Sequence, residues 1–291
     1  MIDRRQLRYF LAVVEAGNFS RAAKRMNVTQ ATLSIGVGKL EESLGATLFF
    51  RNSQRVNLTD AGARFLDHAR TIEHEFNRAE QAVGADAERG LVRLGVLSTI
   101  PTAVLELLVR QHQSTPYAPR LEIVEGVARD LMARLDRGRI DLALTVLSKE
   151  GKFASDWLYR EGYALAVPAG HHCAAADVVD VAQIAGDVMI VRRHCEALSA
   201  TSQFFTARGV RPEFSFRSDN DDRVLALVRA GLGITVMPES YADPSVKRPK
   251  LRGFDLQRDI GLLYAERAQD NAACGALVAA VRRAAADIQP R

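Results

Sequence analysis

The sequence predicts an α/β protein in three successive parts: a winged helix-turn-helix over residues 1–58, a long linker helix over 59–90, and a two-lobed α/β domain over 91–291. Three observations predict it. Apolar residues recur at helical spacing through most of the first ninety positions. Gly84 and Gly90 then mark a hinge. From Leu91 onward strand-like and helix-like runs alternate, the grammar of a parallel sheet covered by helices.

Leu7, Phe10, Leu11 and Val14 stand at i, i+3, i+4 and i+7 and define a first helix, which Gly17 stops. A shorter helix follows with Ala22, Ala23 and Met26 as its apolar stripe and Ser20 as its expected N-cap. Asn27, Val28 and Thr29 interrupt the pattern. Leu33, Val37, Leu40 and Leu44 then recur at steps of four, three and four, so another helix begins at Gln30. Two helices joined by such a break form a helix-turn-helix, whose second helix can enter a DNA major groove. The spacing alone describes an ordinary helical hairpin equally well.

The outer face of the second helix favours DNA. At about 100° per residue, burying Leu33, Val37 and Leu40 turns Ala31, Ile35 and Gly38 outward and puts Gln30, Thr32, Ser34 and Lys39 on the flanks. Short polar groups with a basic end suit base edges and phosphates. Charge agrees: residues 1–58 hold nine Lys/Arg against four Asp/Glu, while residues 59–90 hold four against seven. The basic surplus therefore lies on the segment proposed to meet phosphate.

Residues 48–58 read as two extended pieces around Asn52-Ser53-Gln54, a β-hairpin wing with Arg51 and Arg55 near its tip. Those two arginines are placed for phosphate or minor-groove contact. Thr59 caps the long helix, and Asp60 in its first turn suits the helix dipole. Phe65, Ala69, Ile72, Phe76, Ala79 and Val83 then follow at steps of four, three, four, three and four, a seam of nearly three heptads. A second copy of the same helix is the economical partner and makes a homodimer. Packing on the chain's own helix-turn-helix is the alternative.

The remaining chain holds strand runs at 91–97, 121–124 and 140–147 with helices at 102–113 and 128–137 between them. A second round starts at 163–168 and continues through 188–191, 213–217 and 234–237. The strand at 260–265 and the helix at 272–286 return the chain to the first lobe. Lobe 1 is expected over about 91–162 and 266–291, lobe 2 over about 163–265.

Residues in the first ninety positions make a resemblance specific. Gln6-Leu7-Arg8-Tyr9-Phe10, Gly17-Asn18-Phe19-Ser20, Ala22-Ala23, Val28-Thr29-Gln30, Leu33-Ser34, Leu40-Glu41, Leu44-Gly45, Leu48-Phe49, Arg51 and Leu58-Thr59-Asp60-Ala61-Gly62 occur in the order found in LysR-type transcriptional regulators. The rest resembles, more loosely, that family's periplasmic-binding-protein-like inducer domain. The resemblance implies a transcriptional regulator that binds double-stranded DNA through Ser20, Arg21, Thr29, Gln30, Ala31, Thr32, Ser34, Ile35, Lys39, Arg51 and Arg55. It also implies a homodimer or homotetramer, a small-molecule effector and RNA polymerase as a partner. The family usually has Pro after the recognition-helix Gln, and a polar or basic residue then Gln after the Ser. Ala31, Ile35 and Gly36 stand there instead. Ile35 then offers an apolar group whose natural partner is a thymine methyl. Gly36 and Gly38 each cost about 1 kcal/mol relative to Ala in a helix interior.

Ser98 and Thr99 follow the first strand of the α/β region, and Pro101 suits the start of the next helix. Hydroxyls and free N–H groups at that point suit a carboxylate, although a plain helix cap reads the same way. The resemblance favours ligand contact, with Thr145 facing the same cleft, Arg192, His194 and Cys195 facing it from the second lobe, and Asn220 a weaker candidate. Cys195 beside His194 also raises thiol-based redox sensing, the alternative function, because cationic neighbours favour a thiolate. No cysteine occurs in the next seventy-eight residues, so an intramolecular disulfide of that kind has no partner nearby.

Composition narrows the remaining classes. Three scattered cysteines argue against a disulfide framework. The charged opening lacks a signal peptide, and no apolar run approaches the ~18 residues of a membrane span, so a cytoplasmic protein is expected. No catalytic constellation or phosphate-binding loop appears in a convincing context, which argues against an enzyme and against a cofactor. His171-His172-Cys173 carries metal-binding side chains, but three adjacent residues rarely converge on one ion, and a solvated loop is expected there.

Overall fold

The computed structural model describes residues 2–51, 56–83, 90–148, 151–266, 268–269 and 271–288. It divides into two compact units, 1–88 with 137–139 and 89–136 with 140–291.

In the first unit α1 (Arg4–Ala16) starts on Asp3 and ends at Gly17, whose φ of 63° is the left-handed conformation glycine tolerates. The next helix, α2 (Phe19–Arg25), is capped by Asn18 rather than by Ser20. The Asn18 side chain accepts from the N–H groups of Ser20 and Arg21 at 2.8 and 3.3 Å. Both residue types cap well. Starting at Asn18 brings Phe19 into the helix, where its ring meets Phe49 edge-on at 5.7 Å. Thr29 caps α3 (Gln30–Leu44), accepting from the Thr32 N–H, and Gly45 closes it.

The wing forms as expected, β1 (Phe49–Arg51) pairing antiparallel with β2 (Val56–Leu58). Its tip, with Arg55, and the Arg51 side chain lie outside the described residues. Glu41 is buried at the end of α3, and its Oε1 accepts from the N–H groups of Leu48 and Phe49 at 2.7 and 3.3 Å, which anchors the wing. Thr59 then opens α4 (Asp60–Val83) by accepting from the Gly62 N–H at 3.0 Å. A Cβ at Gly62 would fall 2.1 Å from the Leu48 carbonyl oxygen, so only glycine allows this approach.

Leu7, Phe10, Val13, Leu33, Val37 and Leu40 are fully buried in one core. Ala69 of α4 is fully buried in it too, and Phe65 and Ile72 pack against it. Arg4 on α1 also grips Glu73 on α4 through two 3.1 Å hydrogen bonds. The first half of the expected dimer seam thus packs within its own unit. Phe76 and Ala79 stay exposed, and the Val83 side chain lies outside the described residues.

The second unit runs β3 (Leu91–Leu97), α5 (Thr102–Gln113), β4 (Arg120–Gly126), α6 (Ala128–Asp136), β5 (Leu142–Val146), β6 (Ser155–Pro168) and β7 (Val178–Val179). A turn of 3-10 helix, Val181–Ile184, leads into β8 (Met189–Arg192), α7 (Leu198–Ala207), β9 (Phe214–Ser218), α8 (Asp221–Arg229) and β10 (Thr235–Pro238). The short strands β11 (Val246–Lys247) and β12 (Lys250–Leu251) precede β13 (Gln257–Tyr264) and α9 (Ala272–Ile288).

The sheet is mixed rather than parallel. Its order is β10-β6-β13-β5-β3-β4; β3 is parallel to β4 and β5, while β13 is antiparallel to β5 and β6, and β10 to β6. Strand β6 is fourteen residues long; its first half pairs with β13 and its second with β10 and β11. The lobe boundary expected at 162/163 therefore falls inside one strand. Strand β13, expected to return the chain to lobe 1, lies in the lobe 1 sheet, where Ile260 and Leu262 join the core of Leu94, Leu142 and Leu277, so lobe 2 closes before it and not at 265. Strands β5 and β6 run the same way on either side of β13, and β13, arriving from lobe 2, runs against both, which is what makes the sheet mixed. Lobe 2 has its own core around Leu165, Val167 and Val236, and a second cluster in which Val224 and Val228 of α8 join Ile190, Met237 and Tyr241.

Candidate DNA-binding surface and effector cleft

On the first unit Ser20, Arg21, Thr29, Gln30, Ala31, Thr32, Ile35 and Lys39 are all exposed, and Ile35, at 61%, is a branched apolar side chain held in solvent on the outer face of α3. Ser34 beside it is half-buried. The Thr29 hydroxyl is 2.8 Å from the Thr32 hydroxyl and accepts from the Thr32 N–H, so it works as the helix cap. Gly36 has a packing reason: a Cβ there would lie 2.5 Å from Tyr9 Cδ2. The buried Tyr9 ring of α1 thus fills the space a side chain on α3 would take.

In the second unit lobe 1 brings the end of β3 and the starts of α5 and β13 to its contact with lobe 2, which brings the segment after β8 and the start of α8. Thr99 is buried just beyond β3. Its hydroxyl donates to Glu196 Oε2 at 3.0 Å and accepts from Arg258 Nη1 at 2.8 Å. Arg258, on β13, also donates to the Thr99 carbonyl at 3.0 Å and from Nε to Glu161 Oε1 at 3.0 Å. Glu161 sits directly opposite on β6, and its other oxygen accepts from the Ser240 N–H at 2.7 Å. Arg258 completes the set with an ion pair to Glu196, and the Tyr163 hydroxyl donates to the same Glu196 oxygen at 2.8 Å. A second bridge between the lobes lies beside this one. The N–H and hydroxyl of Thr102, the first residue of α5, donate to Asp222 Oδ2 of α8 at 3.3 and 2.6 Å.

Of the groups expected to suit a carboxylate, the Thr99 hydroxyl meets one from the chain itself, Glu196, and Thr102 meets Asp222, while the Ser98 N–H is taken by the Gly126 carbonyl at 2.9 Å. Burial works to raise the Glu196 carboxyl, but Arg258, with the Tyr163 hydroxyl assisting, holds it below the usual carboxylate range. Burial likewise opposes the Arg258 charge, and Glu161 and Glu196 more than restore it.

The other expected effector residues divide. Ser98 and Thr145 each bury a hydroxyl oxygen with no hydrogen-bond partner among the described residues. Arg192 does not serve the cleft as a free cation. It is 3% exposed, donates from Nε to Asp221 Oδ1 at 2.8 Å, pairs with Asp221 Oδ2 and donates to the Val236 carbonyl. A buried guanidinium needs a carboxylate, and α8 supplies one. Asn220 is the N-cap of α8, accepting from the Arg223 N–H at 2.7 Å. His194 is exposed and Cys195 half-buried. Burial pushes the Cys195 thiol up more than Arg192 draws it down. Cys173 and Cys274 belong to the cores of lobe 2 and lobe 1 respectively.

Glu196, Arg258, Glu161 and Asp222 are not among the residues the sequence singles out. The Arg258–Glu161 pair becomes visible only with the β6–β13 register. Glu196, next to Cys195, is masked by the cysteine's own chemistry.

Residues 4–63 match the family described as bacterial regulatory helix-turn-helix protein, lysR family, and residues 85–286 match the LysR substrate binding domain. The chain is a LysR-family regulator. It is therefore a DNA-binding transcriptional regulator with an effector-binding domain. It is 32% identical over 274 residues to the DNA-binding transcriptional dual regulator OxyR of Escherichia coli strain K12, an alignment covering 89% of this chain and 88% of that protein. Its fold is shared with a full-length point variant of OxyR from Pseudomonas aeruginosa (TM-score 0.61, 23% identity, 97% and 95% of the two chains). The fold of full-length CbnR complexed with its target DNA is also similar (TM-score 0.57, 23% identity, 97% and 100%). Among the described residues of this LysR regulator, no helix is long and apolar enough to cross a membrane.

Proposed function

We propose that this LysR regulator acts in the cytoplasm as a homodimer or homotetramer on double-stranded DNA, catalyses no reaction, and is switched by a small anionic effector that enters between the lobes. The effector takes the place of the Glu196 carboxylate on Thr99 and Arg258. One observation carries the reading: a carboxylate from lobe 2 already makes the contacts an anion would make on lobe 1, at 3.0 Å to the Thr99 hydroxyl and in an ion pair with Arg258. A ligand shifts a conformational equilibrium only by binding one state better. An anion that frees Glu196 does so, because the tethered carboxylate competes with it in one state alone. The exposed part of α4, around Phe76 and Ala79, is the surface left for a second protomer.

The test is fluorescence anisotropy on a duplex bearing two spaced half-sites, with and without a panel of small carboxylates. One of them shifts wild-type binding, and Glu196→Ala, lacking the internal competitor, responds at lower concentration. No response to any carboxylate together with unchanged behaviour of Glu196→Ala contradicts the reading.

A second reading rests on Cys195. The similarity to a protein named OxyR, and to others named hydrogen peroxide-inducible genes activator, favours a thiol-based redox sensor in the same place. The raised thiol and the burial of the other two cysteines in separate cores count against a fast disulfide switch. A peroxide response that survives in Cys195→Ser removes this reading.

A further inference from the structure

The loop expected to be merely solvated, His171-His172-Cys173, is closed by a fourth residue distant in sequence. One ligand atom from each of the three lies within 4.8 Å of the others. Asp187, two residues before β8, points its carboxylate into the same group: Oδ2 is 3.2 Å from His171 Nε2 and 3.1 Å from His172 Nε2. The Cys173 sulfur is 3.2 Å from His172 Nδ1. The loop is already set by turn hydrogen bonds, His171 N–H to the Pro168 carbonyl at 3.0 Å and Ala174 N–H to the His171 carbonyl at 2.8 Å.

We infer that His171, His172, Cys173 and Asp187 form a metal site in lobe 2, suited to a zinc-class divalent ion. Donors around a tetrahedral zinc ion at its usual bond lengths stand about 3.3–3.7 Å apart; with both imidazoles ligating through Nε2 the Asp187 contacts need to open by only a few tenths of an ångström, and the Cys173 sulfur, which now faces His172 Nδ1, has to close on the Nε2 side of that ring. Mixed imidazole, thiolate and carboxylate donors match zinc better than magnesium or calcium, which take oxygen. The side chains also differ in the way a site requires. Cys173 is buried and His171 and Asp187 are mostly buried, at 11% and 21% side-chain exposure, while His172 at 55% gives the ion an entry from solvent.

Binding balances in protons and in hydrogen bonds. Cys173 releases its thiol proton to solvent on ligation. Ligation by His171 Nε2 puts that ring's proton on Nδ1, which ends the 3.2 Å bond now donated to Nδ1 by the Cys173 N–H. One long hydrogen bond is exchanged for several metal–ligand bonds. The ion would tie the end of β6 to the start of β8, stiffening the lobe that carries Glu196. Neither the family assignment nor the anion site depends on it.

The experiment uses the untagged full-length regulator, stripped with a chelator and titrated with cobalt(II), then zinc(II). The site predicts one cobalt per chain, a thiolate-to-cobalt charge-transfer band, displacement by zinc and a higher melting temperature of the zinc-loaded protein. Cys173→Ser abolishes the band, and Cys195→Ser keeps it. Because Cys173 is buried and its variant can fail to fold, the exposed His172→Ala and the Asp187→Asn variants serve as second probes, each weakening zinc affinity at least tenfold. Absence of stoichiometric binding, a band that persists in Cys173→Ser, or affinities unchanged in His172→Ala and Asp187→Asn overturns the site.

Discussion

The Thr99 hydroxyl, at the end of the first strand of lobe 1, donates to the Glu196 carboxylate of lobe 2 at 3.0 Å while accepting from Arg258. This single hydroxyl joins both lobes and a buried cation. Replacing it with valine keeps the shape and removes both bonds. A net loss of about 1–3 kcal/mol follows from leaving charged partners short of a hydrogen bond. Thr99→Val should lower the unfolding midpoint of the second unit and leave that of the first unit in place; equal shifts in both contradict a local role.

Acidity should loosen the same clamp. The Glu196 carboxyl is held below its ordinary value of 4.5, burial opposing and Arg258 prevailing. A group with a lowered folded-state pKa contributes stability above its unfolded value and loses it as pH falls through the folded value. Thermal midpoints of the second unit should therefore fall below about pH 4.5 more steeply in the wild type than in Glu196→Gln, which starts lower at neutral pH. Parallel pH profiles of the two proteins would count against this.

Arg192 and Asp221 form a buried pair, 3% and 4% exposed. Asp221→Asn leaves the guanidinium charge buried without its counterion, a loss of about 3–5 kcal/mol. The double variant Arg192→Met/Asp221→Leu removes both charges and should recover much of it. A double variant as unstable as the single one would show that the pair's packing, not its charge, is what matters.

Gly36→Ala tests the contact between α1 and α3. Alanine gains about 1 kcal/mol of helix propensity, but its Cβ meets the buried Tyr9 ring at 2.5 Å, and overpacking of that kind costs about 1–3 kcal/mol. At so short a distance the loss dominates, so the first unit should melt lower and bind DNA more weakly, with recovery in Gly36→Ala/Tyr9→Leu. A higher melting temperature in Gly36→Ala alone would remove Tyr9 as the cause.

Ile35→Ala should weaken discrimination between target and random duplexes while leaving salt-dependent binding nearly intact, since an exposed uncharged side chain can contact a thymine methyl but cannot neutralise a phosphate. Equal losses on both duplexes would reject a base-reading role.

Much of this is legible in the residues. The steps of Leu33, Val37 and Leu40 locate α3 and its exposed face, because a 3.6-residue period is local information. The Thr59 cap is legible for the same reason. The α4 seam is legible only in half: Phe65, Ala69 and Ile72 have the right spacing for a coiled coil, yet spacing cannot say which surface covers them, and the chain's own first core does. Only the second half of β6, 163–168, reads as a strand, because its first half, Ser-Asp-Trp-Leu-Tyr-Arg-Glu-Gly, carries Asp156, Arg160 and Glu161 and resembles a loop. The arginine at 192 is expected to face a ligand and instead faces Asp221, while Arg258 and Glu161 give no local signal. Their pairing depends on strand register over ninety-seven positions of sequence, which no local pattern encodes.

The most direct test of the account is nuclease protection on a duplex with two spaced half-sites, comparing wild type with Glu196→Ala. If Glu196 holds the lobes in one arrangement, the variant protects a footprint of different extent while the half-site contacts made by α3 persist. Superimposable footprints for the two proteins, at every concentration that saturates the duplex, would contradict it.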